Sequence, residues 1–533
     1  MPSSNKYPNI VSILSKKGYL IEKNSISEQQ LNKIKRDLIV QPFVRNNFGG
    51  KPEKFTVYLE NDKRICVPKF YGLKEIGKPS KILKPKVTKI KVKFKGGLKD
   101  RQLEPHATTL KAIKENGGGI LSIPCGWGKT VIALKLICDL KLKTLVIVHK
   151  TFLVNQWKER IQEFVPNARI GMLQQDIVDV EDKDIIIGML QSISMKKYDK
   201  LVFAGIGFVI SDEVHRISSK IFSRALPKTS TLYTLGLSAT PNRDDGLSKI
   251  FHWYLGDMLY QKTQAENKSV IVKCYNFKSE HPKFKEIINK WTKKPVNPTM
   301  VSNLTEIESR NKFLLDLIII ILAEEAIEKR QILILSDRRD HLTLLKDRLD
   351  KMKICTTGYY VGNMKEDALK ESSEKDVILG TYPMASEGLD IPSLNTLILA
   401  TPRSKITQSV GRILRKERTD INPLVIDIID ELSVFKNQGY RRRAFYKEKK
   451  YRTDFFNVFD GEITGVGSGK QSKNNNELPS LLETMSTMND KKLIDIESDS
   501  GMGSEHELIK LDNDGFVSSD SDDDTTISKK ETM

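Results

Sequence analysis

Apolar and polar residues follow one repeating pattern through most of this chain. From Leu98 to about Tyr451, short apolar runs are separated by longer stretches with the spacing of amphipathic helices. Apolar runs of this kind predict strands buried on both faces, as in parallel sheets covered by helices. The region is long enough for two such α/β domains. The predicted strands are GILSIP (119–124), TLVIVH (144–149), DIIIGM (184–189), FVISD (208–212), ILILS (332–336), VILGT (377–381) and LVIDII (424–429).

The two ends of the chain have different patterns. Near the N-terminus, SISEQQLNKIKRDLIV (25–40) predicts a helix capped by Ser27 or Ser25, and KFTVYLENDKRICVPKFYG (54–72) predicts two short strands around a polar turn. The lysine-rich stretch 77–99, with its prolines and glycines, is typical of an exposed connector. From about Val466 onward, Ser, Asn and Asp predominate, so too little apolar surface is available to offset chain entropy and we predict disorder.

These changes in pattern divide the chain into four parts. We predict a small α+β N-terminal domain with a basic linker (1–97), two α/β domains (98–262 and 263–465) and a disordered acidic tail (466–533). No apolar run reaches the roughly 18 residues that a membrane span needs, and FLLDLIIIILA (313–323) contains an aspartate, which predicts a buried helix.

The N-terminal residues and the cysteines both indicate the compartment in which the protein is found. The first residues lack the layout of a secretory signal, and the five cysteines show no metal-ligand spacing. The sequence therefore predicts no membrane partner and a reducing compartment.

Charge is unevenly distributed along the chain, whose net charge is +19. Residues 1–470 contain 81 Lys and Arg against 53 Asp and Glu, whereas residues 471–533 contain 6 Lys against 15 acidic residues. A folded body this basic attracts polyanions, of which nucleic acid is the commonest. Basic surface that serves only solubility is an equally good explanation of the charge alone.

The stretch IPCGWGKT (123–130) follows a predicted strand and precedes a predicted helix. Gly126 and Gly128 allow backbone N–H groups to turn inward around phosphate oxygens, Lys129 can reach the outer phosphates, and Thr130 offers a hydroxyl to Mg²⁺. The strict phosphate-loop pattern has glycine where this chain has Ile123. A glycine-rich turn followed by an accidental Lys-Thr pair is the alternative for this stretch alone.

Two later segments complete a candidate site for nucleotide hydrolysis. Asp212 and Glu213 follow the predicted strand FVISD, and the carboxyl ends of parallel strands are where ligands bind in such sheets. Asp212 suits Mg²⁺, and Glu213 suits alignment and deprotonation of an attacking water. In QSVGRILR (408–415), Arg412 and Arg415 share one helix face, so both can reach one γ-phosphate. Arginines from a second domain would make hydrolysis depend on domain closure.

With these residues in place, the chain resembles a superfamily 2 helicase over roughly residues 98–416. LKDRQ (98–102) resembles the adenine-reading element, which makes Gln102 the candidate base contact, and IPCGWGKT resembles motif I, whose family version also lacks the first glycine. The other resemblances, to motifs Ia, Ib, II, III, IV, V and VI in order, are VHKTFLVNQW (148–157), GMLQSI (188–193), SDEVH (211–215), LSATPNR (237–243), ILILSDRRDHL (332–342), GTYPMASEGLDIP (380–392) and QSVGRILR.

The resemblance implies a fold of two tandem RecA-like domains that bind ATP and Mg²⁺, and it implies roles for further residues. The motif I residues that would surround the nucleotide are Ile123, Pro124, Cys125, Gly126, Trp127, Gly128, Lys129 and Thr130, with Thr130 and Asp212 as metal ligands. Residues that would couple hydrolysis to movement are His215, Ser238, Thr240, Gly388, Asp390 and Gln408. Residues that would contact nucleic acid are Lys150, Gln191, Arg243 and Thr381.

GLSATPNRDDGLSKIF (236–251) resembles the DNA-directed members: helicases of general transcription factors, phage recombination helicases and the poxvirus-type transcript-release DNA helicase of large DNA viruses. VIDIIDELSVFKNQGYRRRAFYKEKKYR (425–452) also resembles the end of that group. The resemblance implies a DEAH-like DNA helicase or translocase in viral transcription, with recombination or repair as the other process. Transcription machinery would then be a partner of the N-terminal domain or the tail. A viral origin implies host cytoplasm and virion, and a cellular origin implies the nucleus.

Other interpretations remain open at this point. An RNA helicase shares the same core motifs, and a catalytically inactive DNA-binding scaffold of a transcription complex is a further alternative. The basic run 441–452 fits a helix along DNA phosphates with Phe445 or Tyr446 against bases, and it fits a solvated helix face equally well.

Overall fold

The computed structural model of the protein describes residues 9–42, 53–124, 126–214, 219–229, 231–239, 247–262, 269–324, 329–387, 389, 391–414 and 421–466. The predicted tail therefore lies outside the described residues. The helices are α1 Glu28–Asp37, α2 Lys69–Glu75, α3 Asp100–Asn116, α4 Lys129–Leu140, α5 Thr151–Phe164, α6 Leu190–Met195, α7 Ser219–Ala225, α8 Ser248–Leu255, α9 Asn297–Thr305, α10 Glu308–Leu322, α11 Arg339–Met352, α12 Glu366–Ser373, α13 Tyr382–Glu387, α14 Thr407–Arg412 and α15 Ser433–Glu448.

The strands form two large sheets, one smaller sheet and an isolated pair. They are β1 Ser12–Ser15, β2 Gly18–Glu22, β3 Ile39–Val40, β4 Phe55–Thr56, β5 Leu59–Glu60, β6 Arg64–Val67, β7 Lys81–Ile82, β8 Gly118–Ser122, β9 Thr144–Val148, β10 Ile170–Gln174, β11 Ile177–Asp179, β12 Ile185–Met189, β13 Phe208–Ser211, β14 Tyr233–Ser238, β15 Met258–Gln261, β16 Ile271–Lys278, β17 Ile332–Ser336, β18 Thr357–Tyr360, β19 Val377–Thr381, β20 Thr396–Leu399, β21 Leu424–Asp430, β22 Arg452–Phe459 and β23 Glu462–Val466.

Each large sheet contains eight strands, and almost all neighbouring strands are parallel. The first sheet has the order β11-β10-β12-β9-β13-β14-β8-β15, and the second has the order β18-β19-β17-β20-β21-β16-β22-β23. The antiparallel neighbours are the edge pairs β10–β11 and β22–β23. Every residue of the central strands β8, β9, β13, β17 and β21 is buried, because helices cover both faces. The predicted fold of two tandem RecA-like α/β domains is confirmed.

Two local predictions are also confirmed. Helix α1 is capped by Ser27, whose hydroxyl accepts from the Gln30 amide while the Gln30 side chain accepts from the Ser27 amide, which forms a capping box. The apolar run 313–323 lies inside α10, a helix whose buried residues pack within the protein. Among the described residues, no helix has both the length and the apolar character needed to cross a bilayer.

The N-terminal region shares its apolar core with one face of the first large sheet. Its five-stranded sheet has the order β5-β6-β2-β1-β7. Buried residues of that sheet, such as Tyr19 and Ile65, belong to the same apolar cluster as Ile147 of β9 and Phe251 of α8. The core therefore continues across the region near residue 97 instead of ending there. The domain boundary at that point remains a prediction.

A lysine of the N-terminal region forms polar contacts across this junction. Lys69 begins α2, and its Nζ donates to the carbonyl oxygens of Gly117, at 3.1 Å, and Leu232, at 3.0 Å, both in the first α/β domain. Nearby, the rings of Tyr71 and Trp253 pack edge to face with centroids 5.5 Å apart. Burial of the ammonium group lowers the pKa of Lys69 to about 8.

We expect the stabilisation that Lys69 provides to increase with pH. Because its folded-state pKa lies below the ordinary value of 10.5, the unfolded chain binds the proton more tightly between about pH 8 and pH 10.5. The free energy of unfolding of the wild type, relative to Lys69→Met, should therefore rise across that window. Urea unfolding at several pH values measures this difference. The exposed Lys33, changed to Met, is the control and should give a constant difference; a constant difference for Lys69 would contradict the prediction.

The lysine-rich stretch is not wholly an exposed connector, so that prediction is wrong for its second half. Residues 87–95 form an extended ribbon along the first α/β domain, with Ile90 and Val92 buried in its core. The aromatic rings of Phe94 and Phe164 stack with centroids 5.6 Å apart. Alternation of lysines with apolar residues gives the ribbon one buried side and one charged side.

The basic run 441–452 is only in part the solvated helix face that one prediction describes: Arg441 and Lys447 are exposed, but other side chains of the run are buried. It lies at the end of α15 and beyond, where Arg442 is buried and pairs with Asp427 through a 2.8 Å contact from Nη2 to Oδ1. The hydroxyl of Tyr446, also buried, donates to the same carboxylate at 2.9 Å. These side chains fill the core of the second α/β domain, so Tyr446 is not placed to stack on a base.

Candidate active site

The candidate phosphate loop connects β8 to α4 as the sequence predicts. Gly126 and Gly128 have φ angles of 80° and 82°, in the left-handed region that favours glycine. A Cβ atom at Gly128 would lie 2.3 Å from Nε2 of Gln102, so no other residue fits there without displacing a neighbour. Ile123 is fully buried in the core and its amide donates to the Ser238 carbonyl, which explains an apolar residue at this position. Cys125 lies outside the described residues.

Gln102 lies in the first turn of α3 and contacts the loop directly. Its Oε1 accepts from the Lys99 amide at 2.9 Å, and its Nε2 donates to the Trp127 carbonyl at 2.9 Å. The Arg101 side chain lies near the same loop and donates to the Gly126 carbonyl at 3.2 Å. Gln102 therefore fixes the loop against α3, and it lines the same cleft as Lys129.

The two acidic residues lie at the carboxyl end of β13, facing the loop. Asp212 is buried; its Oδ2 accepts from Nε1 of Trp157 at 2.9 Å, and its Oδ1 accepts from the Glu213 amide at 2.9 Å. Burial, and secondarily the charge of Glu213, raise the pKa of Asp212 to about 6. Oε1 of Glu213 lies 3.3 Å from Nζ of Lys129. The structure thus brings together the lysine and both carboxylates.

The backbone at Glu213 is strained. Its φ angle is 48°, a left-handed conformation that residues other than glycine rarely adopt. Such conformations cost on the order of 1–3 kcal/mol and concentrate at functional sites. Here the conformation turns the Glu213 carboxylate toward Lys129 immediately after the buried strand.

Trp157 is a member of the site that the sequence interpretation did not identify. It lies in α5, is 1% exposed, and supplies the side-chain hydrogen bond to Asp212. The stretch 148–157 was interpreted as a nucleic-acid-tracking motif, and its last residue carried no separate prediction. A single tryptophan on a helix is usually a core residue, so no sequence signal distinguishes this one.

Arg412 approaches from the second α/β domain. It ends α14 and is 5% exposed; its Nε donates to the Ala385 carbonyl at 2.7 Å, and its Nη1 donates to the Leu389 carbonyl at 2.8 Å. These bonds fix the plane of the guanidinium group. Gln408 lies one turn earlier on the same helix and is half-buried. Arg415, Gly388 and Asp390 lie outside the described residues, as do His215, Thr240 and Arg243.

The remaining predicted residues lie at the carboxyl ends of strands. Lys150 precedes α5 and Gln191 is the second residue of α6, and these helices follow the adjacent strands β9 and β12. Nε2 of Gln191 donates to the His149 carbonyl at 2.9 Å, so the structure brings these two segments together. Ser238 ends β14 and is buried, and Thr381 ends β19 in the second sheet. Lys150, Gln191 and Thr381 thus lie on the same edge of their sheets as the acidic pair.

One cleft of about 1100 Å³ connects the phosphate loop, the acidic pair and Arg412. It is lined by Gln102, Pro124, Gly126, Gly128, Lys129, Thr130, Trp157, Asp212, Glu213, Pro392 and Arg412, among others. A helix N-terminus, a lysine and an arginine suit a polyphosphate, while a hydroxyl and carboxylates are oxygen ligands that suit Mg²⁺. Among the described residues no group of three or more His, Cys, Asp or Glu could hold a metal. Mg²⁺ is usually held by one or two protein carboxylates together with substrate phosphates.

Two tandem RecA-like domains with a phosphate-loop sequence at the start of α4 place this protein in the class of nucleotide-dependent helicases and translocases. The profile of the family described as "Type III restriction enzyme, res subunit" matches residues 94–243. The "Putative ATP-dependent RNA helicase L396" of Acanthamoeba polyphaga mimivirus is 39% identical over 455 residues, covering 83% of this chain and 86% of that protein. The "Putative helicase 161L" of Invertebrate iridescent virus 6 is 27% identical and covers 80% of this chain and 96% of the relative.

Two solved structures match this chain at lower sequence identity than these relatives. "The crystal structure of T4 UvsW" has a TM-score of 0.35 at 17% identity, covering 85% of this chain and all of that one. A fragment of an HsdR subunit of a type I restriction enzyme from Vibrio vulnificus YJ016 has a TM-score of 0.49 at 14% identity, covering 70% and 71%. On the strength of its mimivirus relative, this chain belongs to the superfamily 2 helicases of large DNA viruses, which are ATP-dependent enzymes.

Proposed function

We propose that this protein is a DNA helicase or translocase that hydrolyses ATP with Mg²⁺ in the cleft between its two α/β domains. The observation that supports the proposal best is the convergence of Lys129 and Glu213 of the first α/β domain and Arg412 of the second on one cleft. Residues that are distant in sequence lie together here, and their chemistry matches phosphoryl transfer.

In this proposal each group of the first domain has a distinct task. Backbone N–H groups of the loop and Lys129 hold the phosphates, and Thr130 with Asp212 would hold Mg²⁺, which supplies charge neutralisation at the phosphates. Glu213 orients the attacking water and accepts its proton. The 3.3 Å contact between Lys129 and Glu213 supports this division, because a phosphate bound to Lys129 would lie beside that carboxylate.

Arg412 would stabilise negative charge on the γ-phosphate in the transition state. Two backbone carbonyls of the second domain orient its guanidinium, so its position relative to the loop is set by the distance between the domains. Hydrolysis would therefore require the domains to close, and opening after hydrolysis would advance the protein along a strand. The proposed contacts to that strand are Lys150, Gln191 and Thr381. We propose that Ser238 and Gln408 couple ATP hydrolysis to this movement.

The choice of DNA rests on two observations. The stretch 236–251 resembles DNA-directed helicases, and the family profile that matches residues 94–243 is named after a restriction enzyme. RNA is the second candidate, because the mimivirus relative and the African swine fever virus relative are both named as RNA helicases. For either polymer, contacts to phosphates make binding depend steeply on salt and little on sequence.

Measuring ATP hydrolysis by the purified protein tests this proposal. The rate is compared at low salt alone and with single-stranded DNA, duplex DNA or RNA of equal nucleotide concentration. Strong stimulation by DNA over RNA is the expected result. Stimulation by RNA alone would favour an RNA helicase, and no ATP hydrolysis with any polynucleotide would favour an inactive scaffold.

The proposal also includes the biological process and the location. From the family we propose a role in viral transcription, with recombination or repair as the other process, and a location in host cytoplasm and virion.

Changing Trp157 to phenylalanine should weaken the use of Mg²⁺. The substitution keeps an aromatic ring in the core but removes the N–H that donates to Asp212. Loss of a hydrogen bond that orients a metal ligand typically costs about 10–100-fold in metal affinity or activity. We therefore expect the Mg²⁺ concentration for half-maximal ATP hydrolysis to rise about 10-fold. Trp291→Phe, at a residue 93% exposed, is the matched control. An unchanged Mg²⁺ dependence in Trp157→Phe would contradict the role.

A further inference from the structure

The ribbon at residues 87–95 presents a regular row of positive charge. Its residues Ile90, Val92 and Phe94 point into the first α/β domain, and the alternate residues are lysines. The rise of an extended chain places alternate residues about 6.6 Å apart on one side. The row consists of Lys89, Lys91, Lys93 and Lys95, all exposed. We call residues 87–95, which carry these four lysines, the lysine ribbon.

Backbone bonds hold the ribbon in place. The Lys95 amide donates to the Phe164 carbonyl at 2.7 Å, and the Ile90 amide donates to the Lys141 carbonyl at 3.0 Å. Asn167 clamps the middle, because its Oδ1 accepts from the Lys93 amide and its Nδ2 donates to the Lys91 carbonyl. The spacing of the charges is therefore set by the fold, not by a mobile loop.

The charges of the ribbon are not neutralised within the protein. Within the part of the chain that the structure describes, none of its four lysines forms an ion pair or a side-chain hydrogen bond. Some surface cations of the same domain are paired, for example Arg169 with Asp184 and Lys196 with Asp176. Like charges held in a row repel each other, so such a row gains most from an external polyanion.

The start of the ribbon lies far from the strand ends that carry the proposed nucleic-acid contacts. It pairs with residues before β9 and β13, since Val87 bridges Gly205 and Lys89 bridges Leu142. Lys150 lies beyond the other end of β9. Eight extended residues separate Leu142 from Lys150, which corresponds to about 26 Å. The start of the ribbon is thus at the opposite ends of the strands of the first large sheet. Its end approaches the cleft, because Phe164, whose carbonyl accepts from the Lys95 amide, also lines the cleft.

We propose that the lysine ribbon is a second binding surface for the phosphate backbone of duplex DNA, separate from the surface at the carboxyl ends of the strands. The identity of the polymer as DNA rests on the proposed function, whereas the ribbon itself rests on its own geometry. A duplex is the partner that fits, because its phosphates form a long and regular row of anions. The exposed side consists mainly of lysines, which contact phosphates without requiring a particular base sequence.

The test compares two variants that lose the same charge. The ribbon variant is K89Q/K91Q/K93Q/K95Q. The control variant removes four exposed lysines of the second domain that have no side-chain partner among the described residues, as K285Q/K290Q/K293Q/K351Q. Each phosphate contact contributes about 0.9 to the slope of log K against log salt for duplex DNA. The ribbon variant should lower that slope by about 2–4, and the control variant should leave it near the wild-type value.

Duplex length gives a second, independent readout. A duplex of about 10 base pairs is about 34 Å long and one of about 30 base pairs is three times longer, at 3.4 Å per base pair. The wild type should gain affinity with length more strongly than the ribbon variant, because a duplex of about 34 Å that spans the roughly 26 Å between the two surfaces has little length left to lie along either, whereas the longer duplex can lie along both. Thermal midpoints of both variants verify folding.

The proposal of a second surface would be overturned if the ribbon variant and the control variant had the same slope of log K against log salt and the same gain of affinity with duplex length. That outcome is distinguishable from failure of the proposed function. If RNA alone stimulates ATP hydrolysis by the wild type, the DNA assignment fails, and the comparison of slopes still decides whether the ribbon contacts phosphates.

Discussion

ATP turnover of Lys129→Ala is expected to fall by about 10²–10³-fold or more, while nucleic-acid binding is retained. Lys129 begins α4 between the loop glycines and Glu213, and it is the cation placed to contact the outer phosphates. Removing one preorganised donor from the site where transition-state charge develops costs about that factor. Steady-state ATP hydrolysis at saturating DNA, together with DNA binding measured by fluorescence anisotropy, tests both parts of the prediction.

Lys111→Ala is the matched control for Lys129. Lys111 is exposed on α3 in the same domain, so the variant loses the same charge at a distance from the cleft. Its ATP turnover should equal that of the wild type. Undiminished turnover in Lys129→Ala would remove the assignment of the ATP site altogether.

Arg412→Ala is expected to bind ATP but to hydrolyse it about 10³–10⁵-fold more slowly, the range that arginine fingers contribute. The structure adds a second expectation. The Arg412 guanidinium satisfies the carbonyls of Ala385 and Leu389, and leaving buried acceptors without donors costs about 1–3 kcal/mol. The variant should therefore also have a lower thermal midpoint. Single-turnover hydrolysis, ATP binding and thermal unfolding are measured on the same preparation.

These measurements separate catalysis from folding. If Arg412 serves only to hold its own domain together, turnover per bound ATP stays near the wild-type value while the thermal midpoint falls. Arg348→Ala is the control, since Arg348 forms a surface ion pair with Glu308 in the same domain and its loss should change neither turnover nor ATP binding.

The chemistry of the cleft was largely predictable from sequence, because it resides in short motifs whose residue types are dictated by phosphate and Mg²⁺. Gly126, Gly128, Lys129 and the acidic pair were each predicted from local patterns, and the structure places them together. Their assigned roles remain predictions. The backbone conformation of Glu213 and the ion pair with Lys129 could not be predicted, because both depend on how β13 meets α4 in three dimensions.

Long-range contacts account for what the sequence did not reveal. Trp157 and Arg442 carry polar groups into the core, where each meets an aspartate far away in sequence, at 55 and 15 residues respectively. A helical tryptophan or a run of arginines does not reveal such a partner. In the case of Arg442, a charged run was therefore interpreted as surface although one arginine in it is buried.

Several elements were missed or misassigned for local reasons. Strands next to a sheet edge, such as β10 and β22, are half-buried, so polar residues interrupt their apolar pattern. The stretch 54–72 was assigned two strands through Gly72, yet α2 begins at Lys69, directly after Pro68. Aromatic residues there favour a strand by propensity, but a proline before the first turn and packing against α8 favour the helix.

The shared apolar core of the N-terminal region has a consequence for what this protein can carry. Residues such as Tyr19 and Ile65 pack in one core with the first α/β domain, so that region would move together with this domain if the two α/β domains open and close as proposed. Any protein or nucleic acid bound to the N-terminal region would then move through the same distance as the first α/β domain. Removing the N-terminal region would also uncover apolar surface, and the remaining motor would be expected to aggregate.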